Sequence, residues 1–500
     1  MNTQMKTLTY QRIFNPGICR ILFASFLSAL CLIALSTQAA TITVTNTNDS
    51  GVGSLRQAIA DANDGDTIHF AITGTITLTT GELLVDKSVT ISGPGAASLT
   101  VDGNLAGRVF HVTSGVTASI AGLTITNGNA WEDAQTNSGG GIYNDHATLA
   151  LDNCTVSGNY GAYGGGGVHN HSGTLTVTNS TFSGNLVNAP YGEGSGGGIF
   201  TEGYDGNATL TVTNSTFSGN YARLVGGGIC NEGFGSATLT VSNSTFSGNS
   251  AESGGSGISN GGSMTIGSTI LNAGVFTENL YNGFGTVISL GYNLSNDNGG
   301  GLLTAIGDQI NTDPMLGPLQ DNGGPTFTHA PLTGSPAIDA GKNFTAGTTD
   351  QRGPGFVRTF DSASIANATG GDGTDIGAFE VQPVTPSYAG QVQPPINPDG
   401  TSTFSVRRGV VPVKFNLTLG GVATCDLPPA TIAVTRTAGG VVGQVNESVY
   451  SGNADTGSNF RIDSCQYVYN LNARALGAGT YRVDILIDGQ VVGTAVFALN

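Results

Sequence analysis

The chain has 500 residues, of which 78 are glycine, 10% are charged and 7% are aromatic, and its formal net charge is −17 at pH 7. Globular proteins average about 25% charged residues and about 7% glycine, so this composition indicates many turns and a core of small side chains. The strongly acidic balance makes nucleic acid and anionic lipid poor partners, and we predict no nucleic-acid binding.

Residues 1–40 have the pattern of a secretory signal peptide. Basic residues lie before the apolar run 21–35, and small residues follow at 36–40. This order is typical of a signal that is removed, here after Ala39 or Ala40. We therefore predict a secreted or bacterial cell-surface protein. We also predict no transmembrane helix in the mature chain, because no later apolar segment is long enough to span a bilayer.

The next segment predicts a strand followed by a helix. Residues 41–45 alternate polar with apolar side chains, which is the period of a strand that is buried on one face. In the stretch 54–63, Leu55, Ile59 and Ala62 recur at helical spacing. Because the open end of a strand stack exposes unpaired backbone groups and core side chains, we interpret this helix as an N-terminal cap.

One phrase occurs four times between residues 139 and 260. Its copies end in Ser-Gly-Asn, at Asn159, Asn185, Asn220 and Asn249, so the steps between them are 26, 35 and 29 residues. A glycine cluster followed by Ile or Val accompanies each copy. Repetition at such a period indicates one supersecondary unit per repeat, stacked on its neighbours.

Each copy predicts three short strands with bends between them. Apolar residues first alternate with polar ones, as at Leu175 and Val177, and the alternation shifts by one position after Asn179, to Ser180 and Phe182. Such a shift would turn a flat strand inside out. A bend at the asparagine restores the pattern, and asparagine tolerates the left-handed backbone that the bend needs. The glycine-rich segment supplies the third strand.

We therefore predict an all-β fold in which residues 41–380 form a right-handed parallel β-helix with one repeat per coil. A disordered glycine- and serine-rich tract is the alternative, which the in-phase apolar residues disfavour. Stacking places equivalent residues about 4.8 Å apart, where side-chain amides can hydrogen bond along the stack. The predicted structural asparagine ladder consists of Asn153, Asn179, Asn214 and Asn243.

Motifs at both ends of this region resemble those of bacterial secreted proteins. Residues 53–59 with 66–68 resemble the start of β-helix proteins of the polymorphic outer-membrane and CSLREA-type group. The resemblance implies a surface or secreted β-helix whose C-terminal attachment module varies, and it implies no established reaction. We predict a closing region at about 300–380. Its ordered motifs resemble the choice-of-anchor Q domain and lie at 313–325, 328–330, 334–341, 350–353 and 375–380.

The end of the chain has a different character. Residues 381–388 have the composition of a linker, and the repeat phrase is absent beyond them. Strand-like segments in 389–500 predict a small antiparallel β-sandwich. This part resembles the PxKF-type domain through the motifs at 411–415, 466–470 and 478–482.

The cysteines after the signal peptide divide into a pair and two single thiols. Cys425 and Cys465 are the natural disulfide pair of a secreted domain. Cys154 and Cys230 occupy different repeat positions several coils apart, which is too far for a bond. We interpret both as packed thiols.

A polysaccharide lyase or glycoside hydrolase is one class of function to weigh, although a β-helix alone does not confer such activity. Lyases of polygalacturonate need a cationic base and calcium-binding carboxylates, and the corresponding hydrolases need clustered aspartates. The Lys and Arg residues between 41 and 300 are Arg56, Lys87, Arg108 and Arg223. The best remaining cluster is Arg223 with Glu193, Glu202 or Glu232, and a solvated loop explains it. We predict no catalytic or cofactor-binding residues.

No metal site is predicted either. The segment 370–377 approaches a calcium-binding nonapeptide pattern, but it occurs once, where calcium would be shared between tandem turns. Calcium there remains an alternative. The histidines without ligand spacing to cysteine are His69, His111, His169 and His171. We predict that Asp339, Arg352 and Asp375 form buried ion pairs that close the end of the β-helix.

Two hypotheses about function follow. The leading one is a non-enzymatic, adhesin-like or structural protein that presents binding loops, with contacts at Tyr191 and Tyr204 in insertions of the repeats. The other is a polysaccharide-binding or polysaccharide-degrading, pectate-lyase-like protein that uses a groove along one face. An extracellular surface or a polysaccharide is the predicted partner, and convergence of carboxylates in a groove would favour the enzyme.

Overall fold

The computed structural model describes residues 39–131, 137–188, 194–233, 236–272, 274, 276–382, 388–419, 421–445, 455, 457–487 and 489–500. The chain divides into two units, Met1–Gln382 and Pro383–Asn500. Of the predicted signal peptide only residues 39 and 40 are described, and of the predicted linker 381–388 the residues 383–387 lie outside this part of the chain. No helix within the described residues is long and apolar enough to cross a membrane.

The first unit is a right-handed parallel β-helix of about nine coils, which confirms the predicted fold class. Its early coils begin with a strand, a helix and eight further strands. These are β1 (Thr41–Val44), α1 (Leu55–Asp61), β2 (Thr67–Phe70), β3 (Gly74–Thr77), β4 (Leu83–Val85), β5 (Thr90–Ser92), β6 (Leu99–Asp102), β7 (Phe110–Val112), β8 (Thr117–Ala121) and β9 (Thr124–Thr126).

The repeats form the coils that follow. Their strands are β10 (Ile142–Asp145), β11 (Thr148–Asp152), β12 (Thr155–Ser157), β13 (Tyr160–Gly161), β14 (Val168–His171), β15 (Thr174–Thr178), β16 (Thr181–Ser183), β17 (Leu186–Val187), β18 (Ile199–Glu202), β19 (Ala208–Thr213), β20 (Thr216–Ser218), β21 (Tyr221–Ala222), β22 (Ile229–Glu232), β23 (Ala237–Ser242), β24 (Thr245–Ser247) and β25 (Ser250–Ala251). The last coils contain β26 (Ile258–Asn260), β27 (Ser263–Gly267), β28 (Ile270–Asn272), β29 (Leu280–Asn282), β30 (Thr286–Gly291) and β31 (Leu294–Ser295).

Equivalent strands of successive coils pair in parallel to form four sheets. Sheet 1 has the order β1-β2-β5-β8-β11-β15-β19-β23-β27-β30, and sheet 2 has β4-β7-β10-β14-β18-β22-β26-β29. Sheet 3 has β3-β6-β9-β12-β16-β20-β24-β28-β31. Sheet 4, β13-β17-β21-β25, is a strip of two-residue strands that the sequence analysis did not predict. The repeats therefore contain three main strands and a short fourth one.

The asparagine bends have the predicted backbone. Asn153, Asn179, Asn214 and Asn243 have φ values of 51°, 51°, 46° and 48°, all in the left-handed region. The glycine corners use the same region for a different reason. At Gly226 (φ 71°), a Cβ would lie 2.5 Å from the carbonyl oxygen of Ile229, so any side chain would collide with the next strand.

The core consists of small and branched side chains in columns, with one aromatic column. Phe182, Phe217 and Phe246 are register partners in sheet 3. Their ring centroids are 4.8 and 4.7 Å apart, and the ring planes are within 8° of parallel. All three rings are at most 1% exposed. Because each ring packs between its neighbours, this column fixes the spacing of the repeats as well as filling the core.

The predicted asparagine ladder is wrong in its position. The predicted residues do stack, but their amides do not bond to one another within the described part of the chain. Asn153 and Asn179 donate to Asp152, and Asn214 donates to the carbonyl of Thr349. The bends point these side chains to the outside of the stack, so they take whatever acceptor the neighbouring coil or segment provides.

The continuous ladder is formed by the last residue of each phrase instead. Nδ2 of Asn159 donates to Oδ1 of Asn185 at 3.0 Å, Asn185 to Asn220 at 2.9 Å, and Asn220 to Asn249 at 2.8 Å. Each Oδ1 also accepts the backbone N–H of the preceding coil's asparagine. All of these side chains are at most 1% exposed. A second, interrupted set of amide bonds lies inside sheet 2 and joins Asn144 to Asn170, Asn231 to Asn260, and Asn260 to Asn282.

The ends of the core are covered in different ways. At the start, α1 is a capping helix as predicted, and Leu55, Ile59 and Ala62 belong to the continuous hydrophobic core. Ser54 is its N-cap, because its Oγ accepts from the N–H of Gln57. At the far end, a 3₁₀ turn (Gly299–Gly301) contacts β29, and the following Leu303 is buried in the same core.

Most of the predicted closing region lies along the side of the coils and not across their end. It contains the hairpin β32 (Leu316–Gln320) and β33 (Thr328–Pro331) and otherwise irregular backbone. Thr326 Oγ1 donates to the carbonyl of Asn179, and the N–H of Ala378 donates to Thr245 Oγ1. Only the turn just before Leu303 closes the stack.

The second unit consists of two antiparallel sheets with one shared core. One sheet contains β34 (Tyr388–Gln393), β36 (Val410–Leu419), β37 (Val422–Thr424), β40 (Arg461–Asp463) and β41 (Gln466–Asn472). The other contains β35 (Thr403–Phe404), β38 (Ala430–Ala438), β39 (Gly443–Val445), β42 (Gly479–Ile487) and β43 (Gln490–Leu499), with β35 parallel to β43. A 3₁₀ turn (Val406–Arg408) and α2 (Ala473–Leu476) complete the unit. Side chains from both sheets form one buried cluster, as in a β-sandwich.

Cys425 and Cys465 form a disulfide with Cα atoms 4.9 Å apart, across 40 residues of chain. We predict that the double variant Cys425→Ser/Cys465→Ser lowers the free energy of unfolding of this unit by up to about 4 kcal/mol, because the open chain regains loop entropy when it unfolds. Calorimetry of the whole chain checks this, and the β-helix transition serves as the internal control. An unchanged C-terminal transition would contradict the prediction.

Candidate functional site

The outer face of sheet 2 has the densest group of ionisable side chains among the described residues. Strand register places two outward columns on it. The first column contains His111, Tyr143, His169, Phe200 and Cys230. The second column contains Asp145, His171, Glu202 and Glu232. With His146 and Asp205, which lie beside them, we call these residues the histidine–carboxylate strip.

Aromatic contacts hold the first column together. Ring centroids are 5.2 Å apart from His111 to Tyr143, 5.2 Å from Tyr143 to His169, and 5.1 Å from His169 to Phe200. The rings lie over the neighbouring glycine corner, since a Cβ on Gly164 would lie 2.3 Å from the ring of Phe200. The glycines of the repeat therefore make room for outward aromatic side chains.

One end of the strip is anchored by a buried cation. Arg108 is 4% exposed, and its Nη1 lies 2.6 Å from Oε2 of Glu82. Its guanidinium also lies 5.0 Å from the centre of the Tyr143 ring and donates to the carbonyls of Ser138 and Gly139. The other oxygen of Glu82 lies 3.0 Å from Nδ1 of His111. Arg108 is thus held by the strip and does not project into a cleft.

Glu202 is the centre of the strip. Its Oε1 lies 2.9 Å from Nε2 of His169 and 2.7 Å from Nδ1 of His171. Burial alone would raise the pKa of Glu202, but the two histidine hydrogen bonds outweigh it and lower the pKa to about 2. Burial lowers the pKa of His169, whereas the bond to Glu202 raises the pKa of His171.

A predicted binding loop lies against the same place. The loop after β18 contains Tyr204, whose ring is 61% exposed, and Asp205. Oδ1 of Asp205 lies 3.3 Å from Nε2 of His146 and 3.4 Å from Nε2 of His171, and it accepts from Ser172 Oγ. Tyr191, the other predicted contact, lies outside the described residues, as does Glu193.

Glu232 borders a pocket one coil further on. It is the register partner of Glu202, and burial followed by the charge of Glu202 raises its pKa, while a hydrogen bond from Tyr204 acts in the opposite direction. The pocket has a volume of about 170 Å³, and its lining includes Cys230, Tyr281 and Phe284. Glu202 and Glu232 therefore have carboxyl groups in neighbouring coils with pKa values shifted in opposite directions.

The predicted cluster of Arg223 with glutamates is only partly present. Glu202 and Glu232 do come together, on strands and not on a solvated loop. Arg223 follows β21 of sheet 4, where its charge acts on Tyr221, whose hydroxyl donates to Glu252. Sheet 4 was not predicted, so the corner that carries Arg223 away from sheet 2 was not visible in the sequence.

The predicted ion pairs of the closing region have other partners. Arg352 pairs with Asp350 at 2.7 Å, and Arg358 pairs with Glu380 at 3.0 Å. Asp375 does not pair with Arg352. Its Oδ1 accepts the backbone N–H of Asp339 at 2.8 Å, so Asp339 and Asp375 are joined through the main chain.

The carboxylates of the segment 370–377 are bonded to backbone amides. Asp372 accepts from the N–H groups of Asn343 and Thr374, and Asp375 accepts from those of Asp339 and Val381. The two packed thiols are buried as predicted and unpaired. Burial is the main cause that raises the pKa of Cys154, to about 12, and it also raises the pKa of Cys230.

The sequence contained a signal for the strip. His169 and His171 are two residues apart on a strand and therefore face the same side. The register places His171 opposite Glu202, 31 residues later. A search for cysteine-containing ligand sets passes over this pattern, because its spacing is set by the coil and not by a loop. Comparison of the chain with protein-family models, with curated proteins and with solved structures finds no match.

Proposed function

We propose that this chain is a secreted or cell-surface, non-enzymatic, adhesin-like β-helix protein that binds neutral polysaccharide. The observation that carries the proposal is the outer face of sheet 1. In β15, β19 and β23 every outward residue is a threonine or a serine. We use the name threonine face for the two columns formed by Thr174, Thr176, Thr209, Thr211, Thr238 and Thr240.

The threonine face suits a neutral, repetitive ligand. Hydroxyl groups repeat about every 4.8 Å across the strands and about every 6.6 Å along them. A threonine hydroxyl can both donate and accept, as a sugar hydroxyl can, and no buried charge has to be desolvated on binding. Many weak contacts of this kind along one polymer give avidity without a deep cleft. The chain's net charge of −17 disfavours acidic polysaccharides.

The histidine–carboxylate strip supports a binding role over turnover. Glu202, its most acidic carboxyl group, is already bonded to two histidines of the same face. A general base needs a free lone pair within reach of substrate. The resemblance of residues 53–59 and of the motifs in 313–380 to bacterial surface proteins is consistent with presentation outside the cell.

A binding assay tests the proposal directly. The purified chain should co-sediment with an insoluble neutral glucan or xylan and not with alginate. The triple variant Thr176→Val/Thr211→Val/Thr240→Val should bind at least about tenfold more weakly, because the shape is kept while the hydroxyls are lost. The matched Thr→Ser triple variant should bind normally. Equal binding by the valine variant, or release of soluble sugar by the unmodified chain, would refute the proposal.

The second candidate is a glycoside hydrolase, which the pair Glu202 and Glu232 favours. Two carboxyl groups whose pKa values are pushed apart are the usual acid and base of such enzymes. Neighbouring coils place them near the short separation that is typical of retaining mechanisms. Release of reducing ends from a polysaccharide, abolished in Glu232→Gln while binding persists, would place the chain in this class.

A further inference from the structure

We propose that His169, His171 and Glu202 form a binding site for one divalent transition-metal ion of the zinc class. Nε2 of His169, Nδ1 of His171 and Oε1 of Glu202 lie within 4.8 Å of one another. Two imidazoles and one carboxylate are a common ligand set for Zn²⁺, with the remaining position open. The inference goes beyond polysaccharide binding and does not rest on the threonine face.

The spacing fits a metal that replaces protons. Zinc with bonds of about 2.0–2.1 Å in a tetrahedron requires ligand atoms about 3.3 Å apart. The observed distances to Glu202 are 2.9 Å from His169 and 2.7 Å from His171, so each contact needs to lengthen by roughly half an ångström. In the present state these contacts are hydrogen bonds, and the metal would take the place of the shared hydrogens.

A supporting group is already in position for one ligand. When a histidine binds metal through one ring nitrogen, the other N–H usually donates to a carboxylate. If Nδ1 of His171 holds the ion, its proton moves to Nε2, which lies 3.4 Å from Oδ1 of Asp205. Ser172 Oγ donates to the same oxygen at 2.7 Å and holds the carboxylate in place. Asp205 is therefore a positioning residue for the site.

The fold makes the arrangement stiff. His169 and His171 are on β14 and Glu202 is on β18, which pair in register, so the three ligands come from two adjacent coils. His169 is only 5% exposed and packs against the rings of Tyr143 and Phe200. Nitrogen ligands favour zinc, nickel, cobalt or copper, whereas calcium and magnesium prefer oxygen ligands alone.

Titration calorimetry on the untagged whole chain, stripped with EDTA, tests the site. We expect one Zn²⁺ per chain and no binding of Ca²⁺ or Mg²⁺ at this site. His171→Gln and Glu202→Gln should each weaken the affinity for Zn²⁺ at least about 100-fold, and Asp205→Asn should weaken it about 10- to 100-fold. His111→Gln, in the same column but bonded to Glu82, is the matched control and should bind normally.

Two further measurements keep the test independent of folding. Circular dichroism without metal shows whether each variant retains its β-sheet signal. Visible absorption of Co²⁺ in the unmodified chain should show the intense bands of a four- or five-coordinate site with nitrogen ligands. Absence of Zn²⁺ binding by the unmodified chain, or equal binding by His171→Gln and Glu202→Gln, would overturn the proposal. Neither result would affect the polysaccharide assay.

Discussion

Replacing Asn220 with alanine should lower the free energy of unfolding of the β-helix by about 4 kcal/mol. The Asn220 amide donates to the carbonyl of Phe182 and to Oδ1 of Asn249, and its own Oδ1 accepts two N–H groups of Asn185. The side chain is 0% exposed, so water cannot replace these bonds. Each buried group left without a partner costs about 1–3 kcal/mol. Urea unfolding followed by circular dichroism measures the loss.

The control for this variant is Asn153→Gly. Asn153 has a left-handed backbone and its amide is bonded to Asp152 beside it, and glycine keeps that backbone while removing the amide. We expect a change below about 1 kcal/mol. If Asn153→Gly destabilises the chain more than Asn220→Ala, the stack depends on the amides at the bends and not on the buried ladder.

The variant Phe217→Ala should lower the free energy of unfolding of the β-helix by about 3–5 kcal/mol. Phe217 is the middle ring of the stacked column and is 0% exposed. Its removal opens a cavity between two coils that hydrogen bonds hold at a fixed spacing, so the walls cannot collapse into it. Both ring contacts, to Phe182 and to Phe246, are lost together. Thermal and urea unfolding check the size of the loss.

Phe217→Leu separates the effect of volume from that of stacking. Leucine fills most of the space, so we expect less than half of the alanine effect. A loss equal to that of Phe217→Ala would mean that ring stacking, and not cavity formation, dominates. No loss in either variant would contradict the role of this column in the core.

Much of the β-helix could be predicted from the sequence because its physics is local and repeated. The apolar alternation in Leu175 and Val177 and the shift after Asn179 are read directly, and the structure confirms both the inward positions and the bend. Sheet 4 was missed because two-residue strands such as Tyr160–Gly161 have too few residues to show a period. The position of segment 300–380 was missed because its contacts with the coils span more than 130 residues.

The ladder and the histidine–carboxylate strip failed to appear for a related reason. Asn179 and Asn185 occur equally regularly in the phrase, and the sequence does not say which amide points inward. That choice depends on where the bend turns the side chain. The strip depends on register between coils, which insertions change, since His171 faces Glu202 across a step of 31 residues although other steps are shorter. Residue types were readable, and their juxtaposition required coordinates.

The segment that lies along sheet 3 changes how the repeat stack can come apart. Coils that contact only their neighbours can peel away one at a time from an end. Here Gln351 bonds to Thr181 and Thr216, Ala378 bonds to Thr245, and Gly377 bonds to Ser268. A single coil in this stretch cannot detach unless the lengthwise tie is broken as well. Four coils are thus spliced into one mechanical unit that yields as a whole or not at all.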